Sequence, residues 1–172
     1  MQPVITLWRA GDVPRLWLDQ IAAWFLHEFH WPMAHTAPAD WRVLATIGGD
    51  LIGHLSITER EATVGGEPVA LAGIGAVIVQ PGWRGRGVGR ALLARAEAAM
   101  REETAADFGL LICEAHRLTF YTALGWQPVA GPLFFTSWRG ERQQASQHVL
   151  ILPLREGLTW PPGEIDLCGL PW

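Results

Sequence analysis

The chain has 172 residues, 49% apolar and 17% charged, with a formal net charge of −4. That length and composition suit one globular domain with a substantial core and exclude a disordered chain. The acidic balance argues against a general nucleic-acid binder, and the thirteen cations are all arginine, which excludes chemistry through a lysine Schiff base. Cys113 and Cys168 form no CxxC pair, as suits reduced thiols in a cytoplasmic protein. No basic segment followed by an apolar stretch opens the chain, so no signal peptide is expected, and no apolar run is long enough for a membrane span.

In chain order, residues 5–8 read as a first strand. Asp12 is the expected N-cap of a helix with Pro14 in its first turn. Leu16, Trp17, Ile21, Trp24 and Phe25 then recur at helical spacing to about residue 27. A proline-containing loop, 31–39, leads to a strand over 41–47, the turn Gly48-Gly49-Asp50 and a returning strand over 51–58. Gly65-Gly66 marks another turn, before a long strand over 69–79. That strand ends in Val77-Ile78-Val79-Gln80-Pro81-Gly82, and helical periodicity begins near Val88 and continues to about residue 103. Between them Gly85, Gly87 and Gly89 alternate with Arg84, Arg86 and Arg90. Glycines let the backbone approach a ligand closely, and a helix N-terminus presents free N–H groups and partial positive charge. The stretch therefore reads as a cradle for phosphate or pyrophosphate. It is neither the GxGxxG dinucleotide fingerprint nor a P-loop. A strand over 110–113, a short helix over 117–124 closed by Gly125, and strands over 132–138 and 148–152 with a polar turn between them complete the pattern. The tail, 153–172, has four prolines and reads as irregular, with Trp160 and Trp172 placed to pack at a surface site. This order predicts an α/β fold of the mixed α+β kind, one sheet with helices on both faces, as a single domain over 1–172.

Arg84, Gly87 and Gly89 form an Arg-x-x-Gly-x-Gly pattern that resembles the acetyl-CoA-binding motif of the GCN5-related N-acetyltransferase superfamily. Phe120-Tyr121-Thr122-Ala123-Leu124-Gly125-Trp126 resembles the segment that follows the fifth strand in that superfamily. The resemblance implies a mostly antiparallel sheet splayed at strands 4 and 5. It implies acetyl-CoA as co-substrate, no metal, and a homodimer as the assembly. Val77, Ile78 and Val79 would hold the acetyl arm and supply a backbone oxyanion donor. Arg84, Gly85, Arg86, Gly87, Val88, Gly89 and Arg90 would grip the pyrophosphate. Tyr121 matches the tyrosine that protonates the departing thiolate. For the general base the sequence leaves several groups open: Glu114 acting through a water, the Trp172 carboxylate, His54 and His116. His27-Glu28-Phe29-His30 is not a zinc HExxH motif.

A closer resemblance is to the aminoglycoside 2'-N-acetyltransferases. It is carried by Asp40-Trp41, Pro81-Gly82-Trp83-Arg84-Gly85, Gly125-Trp126-Gln127-Pro128-Val129-Ala130-Gly131-Pro132, and the tail Glu164-Ile165-Asp166-Leu167-Cys168 with a final Trp172. It implies a tail that folds back to the acceptor site, with Asp40, Glu164, Asp166 and Trp172 binding an aminoglycoside. Two departures matter: the acids that follow the tail cysteine in that family are absent here, and its fourth-strand acid falls at Gly75. Fewer carboxylates attract a polycation less. The expectation is therefore an acceptor with fewer amines, such as kasugamycin. The alternatives are a metabolite amine or protein N-terminus as acceptor, and a non-catalytic acyl-CoA-binding protein.

Overall fold

The computed structural model describes residues 2–172. Three long strands, β2 (Trp41–Ile47), β3 (Asp50–Val64) and β4 (Glu67–Val79), form an antiparallel meander whose side chains are mostly buried on both faces. Neighbouring residues on a strand point to opposite faces, and the core divides accordingly. Val43, Ala45, Leu55 and Ile57 join the apolar cluster of helix α2 (Val88–Glu103). Leu44 instead joins Ile21 of helix α1 (Arg15–Phe29). β1 (Val4–Arg9) pairs antiparallel with β2. Beyond β4, β5 (Phe108–Cys113) runs parallel to it, β9 (His148–Pro153) is antiparallel to β5, and β6 (Gln127–Pro128) forms the edge. Helix α3 (Leu118–Thr122) lies between β5 and β6 in the chain. The result is a mixed, mostly antiparallel sheet with helices on both faces. No helix among the described residues is long and apolar enough to cross a membrane.

The structure departs from the sequence reading in several places. Asp12 does not cap α1: it closes a 3₁₀ turn, Ala10–Asp12, and Pro14 is the N-cap, its carbonyl accepting the N–H of Trp17 at 2.9 Å and of Leu18 at 3.1 Å. Proline suits that boundary because it has no N–H to leave unpaired. Leu16, expected on the apolar face, is 69% exposed, and Ile21 and Phe25 form the buried stripe. β3 runs six residues past its expected end, because β4 pairs with it as far as Val64.

The tail is not wholly irregular. It contains β10 (Ile165–Asp166), antiparallel to β3 at Thr63 and Val64 and parallel to β7 (Leu133–Thr136). β7 pairs in turn with β8 (Arg142–Gln144), so part of the expected polar turn is the second arm of a hairpin. A two-residue strand is too short to show periodicity. It forms because two sheet edges flank it and because Ile165 and Leu167 are fully buried on either side of Asp166.

Candidate active site

The β4–β5 ladder runs from Leu71 opposite Phe108 to Ile74 opposite Leu111, and stops. Both strands continue, to Val79 and Cys113, without pairing with each other. The gap opens into a cavity of about 870 Å³, with Gly75, Ala76 and Val77 on one wall and Ile112, Cys113 and Glu114 on another. A β-bulge bends β4 there. Between His54 and Ser56 of β3, β4 advances from Ile78 back to Gly75, one residue more than its partner, and Ala76 takes a φ of +50°. A bulge of this kind bends its strand and increases the local twist.

His54 sits behind the bulge with no exposed surface. Its Nε2 lies 2.7 Å from Arg42 Nη1 and its Nδ1 lies 3.0 Å from the Ala76 carbonyl oxygen. A guanidinium can only donate, so Nε2 accepts and Nδ1 carries the proton given to Ala76. Burial, reinforced by the Arg42 charge, pushes the imidazole pKa down to about 3. The ring is neutral and both nitrogens are occupied, which removes His54 from the candidate bases.

At the glycine-rich loop, Gly87 is the N-cap of α2 with φ +82°, and no side chain among the described residues caps the helix. A Cβ built on Gly85 or Gly87 would meet nothing within 4 Å, so the space over the loop is open. Uncapped first-turn amides facing open space suit a pyrophosphate. Arg90 is exposed, and Arg86 lies 5.3 Å from the Trp83 ring centroid. Arg84 behaves differently: its Nε donates to the Val79 carbonyl at 2.8 Å and its Nη2 pairs with Glu28 at 3.1 Å. It buckles the loop onto β4 and α1. Ile78 and Val88 are each only 3% exposed, so their side chains anchor the core and only their backbone is available to a ligand. Val77 lines the cavity.

Tyr121 also lines the cavity and is buried within α3. Burial pushes its phenol pKa up to about 12, so it is protonated at neutral pH and able to donate. Phe120 meets Tyr121 edge-on at 5.1 Å and its Cζ comes within 3.6 Å of a Cβ built on Gly89, which brings the glycine-rich and aromatic motifs together. Glu114, at the end of β5, lines the same cavity and forms no ion pair among the described residues. His116 is a further lining residue.

The wall opposite the glycine-rich loop is assembled from distant segments. Trp172 lies across β4: a methyl group on Gly73 would overlap its ring, and a Cβ on Gly75 would sit 2.6 Å from its main-chain carbonyl carbon. Gly75, where the aminoglycoside acetyltransferases carry an acid, is therefore a seat that a side chain would fill. The tail is stitched down by Arg60 Nη1, which donates to Leu167 O at 3.2 Å and Leu170 O at 2.6 Å. Ala37 N–H donates to Pro171 O at 2.7 Å and Thr136 N–H to Gly169 O at 2.8 Å. His35 and Trp138 stack at 4.4 Å and 14°, so the loop after α1 and the β7–β8 hairpin meet along the cavity they both line.

Asp40, Glu164 and Asp166 do not line this cavity. Asp40 Oδ2 accepts the Glu59 N–H at 2.7 Å. Glu164 and Asp166 both pair with Arg142, Asp166 at 3.2 Å, and Asp166 also accepts the Cys168 N–H at 2.8 Å. The side-chain carboxylates that do reach the cavity are those of Glu28, Glu114 and Glu141. Sequence reasoning missed Glu28, which pairs with Arg84 and, at 3.4 Å, with Arg117. Its only signal was a place in the failed zinc motif. Glu141, Trp31, His35 and Trp138 gave none. No group of three or more metal-ligating side chains forms among the described residues.

Residues 25–129 match the family model of the acetyltransferase (GNAT) domain. Among solved structures, the chain is similar to Escherichia coli YhbS, a GNAT family N-acetyltransferase in complex with CoA, at TM-score 0.65 and 16% identity over 98% of this chain and 91% of that one. It is similar to Escherichia coli ElaA at TM-score 0.62 and 19% identity, over 87% of this chain and 98% of that one. An acyl-CoA N-acyltransferase from Pseudomonas aeruginosa matches at TM-score 0.61 and 17% identity, over 87% and 99% respectively. At these identities the structural likeness is one of fold.

Proposed function

The chain belongs to the GNAT acetyltransferase family, and from that premise we propose that it transfers acetyl from acetyl-CoA to an amine of an amino-sugar antibiotic with few free amines, of the kasugamycin type. The observation that carries the acceptor reading is Trp172, seated over Gly73 and Gly75 and lining the same cavity as Tyr121. The cavity volume, about 870 Å³, falls in the range of roughly 300–1,000 Å³ usual for small-molecule sites. Of the side-chain carboxylates at the cavity, Glu28 is already bracketed by Arg84 and Arg117, which leaves Glu114 and Glu141 for ammonium groups. Arg117 and Arg139 line it too. That balance disfavours a polycation and suits an acceptor with one or two amines.

Amide formation needs a neutral amine, a donor for the tetrahedral oxyanion and a proton for the leaving thiolate. As the amine nitrogen bonds to the acetyl carbon, the Val77 N–H takes up the charge on the carbonyl oxygen. When the C–S bond breaks, Tyr121 gives its proton to the sulfur. The proton lost by the amine passes to Glu114 through a water. The open, glycine-lined entrance to α2 and Arg86 and Arg90 hold the pyrophosphate, and Arg84 keeps that loop in place. Replacing Trp172 by Ala should raise KM for the amino sugar about 10-fold or more while leaving acetyl-CoA affinity within about 2-fold, as loss of a buried aromatic contact at one ligand only would do. Equal turnover of kasugamycin by Trp172→Ala and the native enzyme would remove the basis for the acceptor reading.

A further inference from the structure

We propose that His54 is a positioning residue for acetyl transfer: by holding the Ala76 carbonyl it aims the Val77 N–H at the oxygen that acquires charge. The inference rests on the acetyl-transfer reading but not on the identity of the acceptor.

The Ala76 carbonyl and the Val77 N–H belong to one trans peptide plane, so they point in opposite directions. Fixing the first aims the second. The bulge leaves the Ala76 carbonyl to a side chain: His54 Nδ1–H reaches it at 3.0 Å from β3. The Val77 N–H is thereby directed away from β3, on the side where β4 has no strand partner past Ile74. Further along, Gln80 N–H donates to Ile52 O at 3.0 Å, and alternation then turns the backbone of Val79 to that same unpaired side. A non-glycine residue rarely holds a φ of +50° unless its surroundings impose it. Here the imposing contact is a fully buried imidazole.

Arg42 completes the device. It is 8% exposed and, among the described residues, it has no acidic partner and its Nε has no hydrogen-bond partner. What its Nη1 does is occupy His54 Nε2 at 2.7 Å. That contact forbids the other tautomer, in which Nδ1 would be an acceptor facing the Ala76 carbonyl. A buried, uncompensated cation is an expensive way to hold a strand pair together. It is an effective way to keep one proton on one nitrogen.

The test compares three replacements. His54→Asn places an amide N–H near the Nδ1 position, His54→Gln extends toward Nε2 instead, and His54→Leu removes both. Loss of an oxyanion donor costs about 10²–10³ in kcat, and a misaimed one less. The expectation is a fall in kcat of about 30-fold for His54→Gln and His54→Leu, recovery to within about 3-fold in His54→Asn, and KM for acetyl-CoA unchanged within about 2-fold. Glycine adopts a positive φ without cost, so in an Ala76→Gly background the loss caused by His54→Gln should shrink to about 5-fold or less. The Ala76–Val77 backbone should show lower NMR order parameters in His54→Gln than in His54→Asn, a readout that needs no acceptor. If His54→Leu does not fold, the Asn and Gln pair still decides. Equal kcat for that pair, or the same loss in both Ala76 backgrounds, overturns the proposal. Absence of acetylation by the native enzyme would instead overturn the activity reading, and the order-parameter comparison would remain to judge His54.

Discussion

The two halves of the cavity are built by different means. The donor half is local and made of backbone: residues 77–90 run from the bulged end of β4 through a glycine loop into α2, and the useful groups are main-chain amides. The half proposed to hold the acceptor is non-local and made of side chains, with Trp31 and His35 after α1, Trp138 and Glu141 from the β7–β8 hairpin, and Trp172 from the tail. Backbone groups survive most substitutions, so a donor site of this kind is most sensitive at its glycines and at the few arginines that hold the loop and the pyrophosphate. Side-chain walls can be altered one residue at a time, which lets one donor site serve many acceptors.

That contrast can be broken experimentally. The largest effect is expected at the junction of the two halves. Tyr121→Phe should lower kcat about 10²-fold or more with acetyl-CoA binding intact by calorimetry, and an unchanged rate would refute its role as the acid. Because burial holds its pKa near 12, the native profile should show no fall in kcat from phenol ionisation below about pH 11. Next in size is Gly75→Asp, which inserts a side chain where Trp172 lies. It should raise the acceptor KM about 10-fold or more and leave acetyl-CoA affinity within about 2-fold. Should both ligands weaken together, the two halves are not separable.

Smaller effects are expected from the charged groups that tie the halves together. Glu28→Gln frees Arg84 and Arg117 from half-exposed ion pairs, which are worth about 0–1 kcal/mol each. Denaturation midpoints should therefore shift little, and KM for acetyl-CoA should rise a few-fold through the loosened loop. His54 gives the structure a pH dependence whose sign is fixed. Its folded pKa is about 3 against an ordinary 6.5, so as pH falls below 6.5 the unfolded chain takes up a proton that the folded chain refuses. Its stabilising contribution is complete above about pH 6.5 and is lost as pH falls toward 3. Thermal melts of His54→Asn should show a shallower decline over that window than the native protein.

Much of the donor half was legible because its signal is contiguous. A strand, glycines at alternate positions and a helical period are all visible within a short stretch, and the fold that encloses them followed from element order. Arg84 shows the limit. Its spacing suggests a phosphate ligand, yet its partner is Glu28, 56 residues away, which no local pattern reveals. The acceptor half was legible only in outline. The sequence pointed to Trp172 through resemblance, but Asp40, Glu164 and Asp166 are held by a Glu59 amide and by Arg142. The Arg142 pairs depend on β10 slotting beside β7, whose hairpin carries Arg142, and β3 closes the other edge from a distant part of the chain. The seat at Gly73 and Gly75 was hidden for the same reason: a glycine in a strand says only that something comes close, not what.

The identity of the acceptor is the most direct test of these roles. Incubation of the purified protein with acetyl-CoA and aminoglycosides of graded amine count, with thiol release and product mass read together, tests it. Acetylation of kasugamycin, with slow or no turnover of gentamicin-type multi-amine drugs, is the predicted result. Efficient acetylation of the multi-amine drugs with kasugamycin untouched would contradict it.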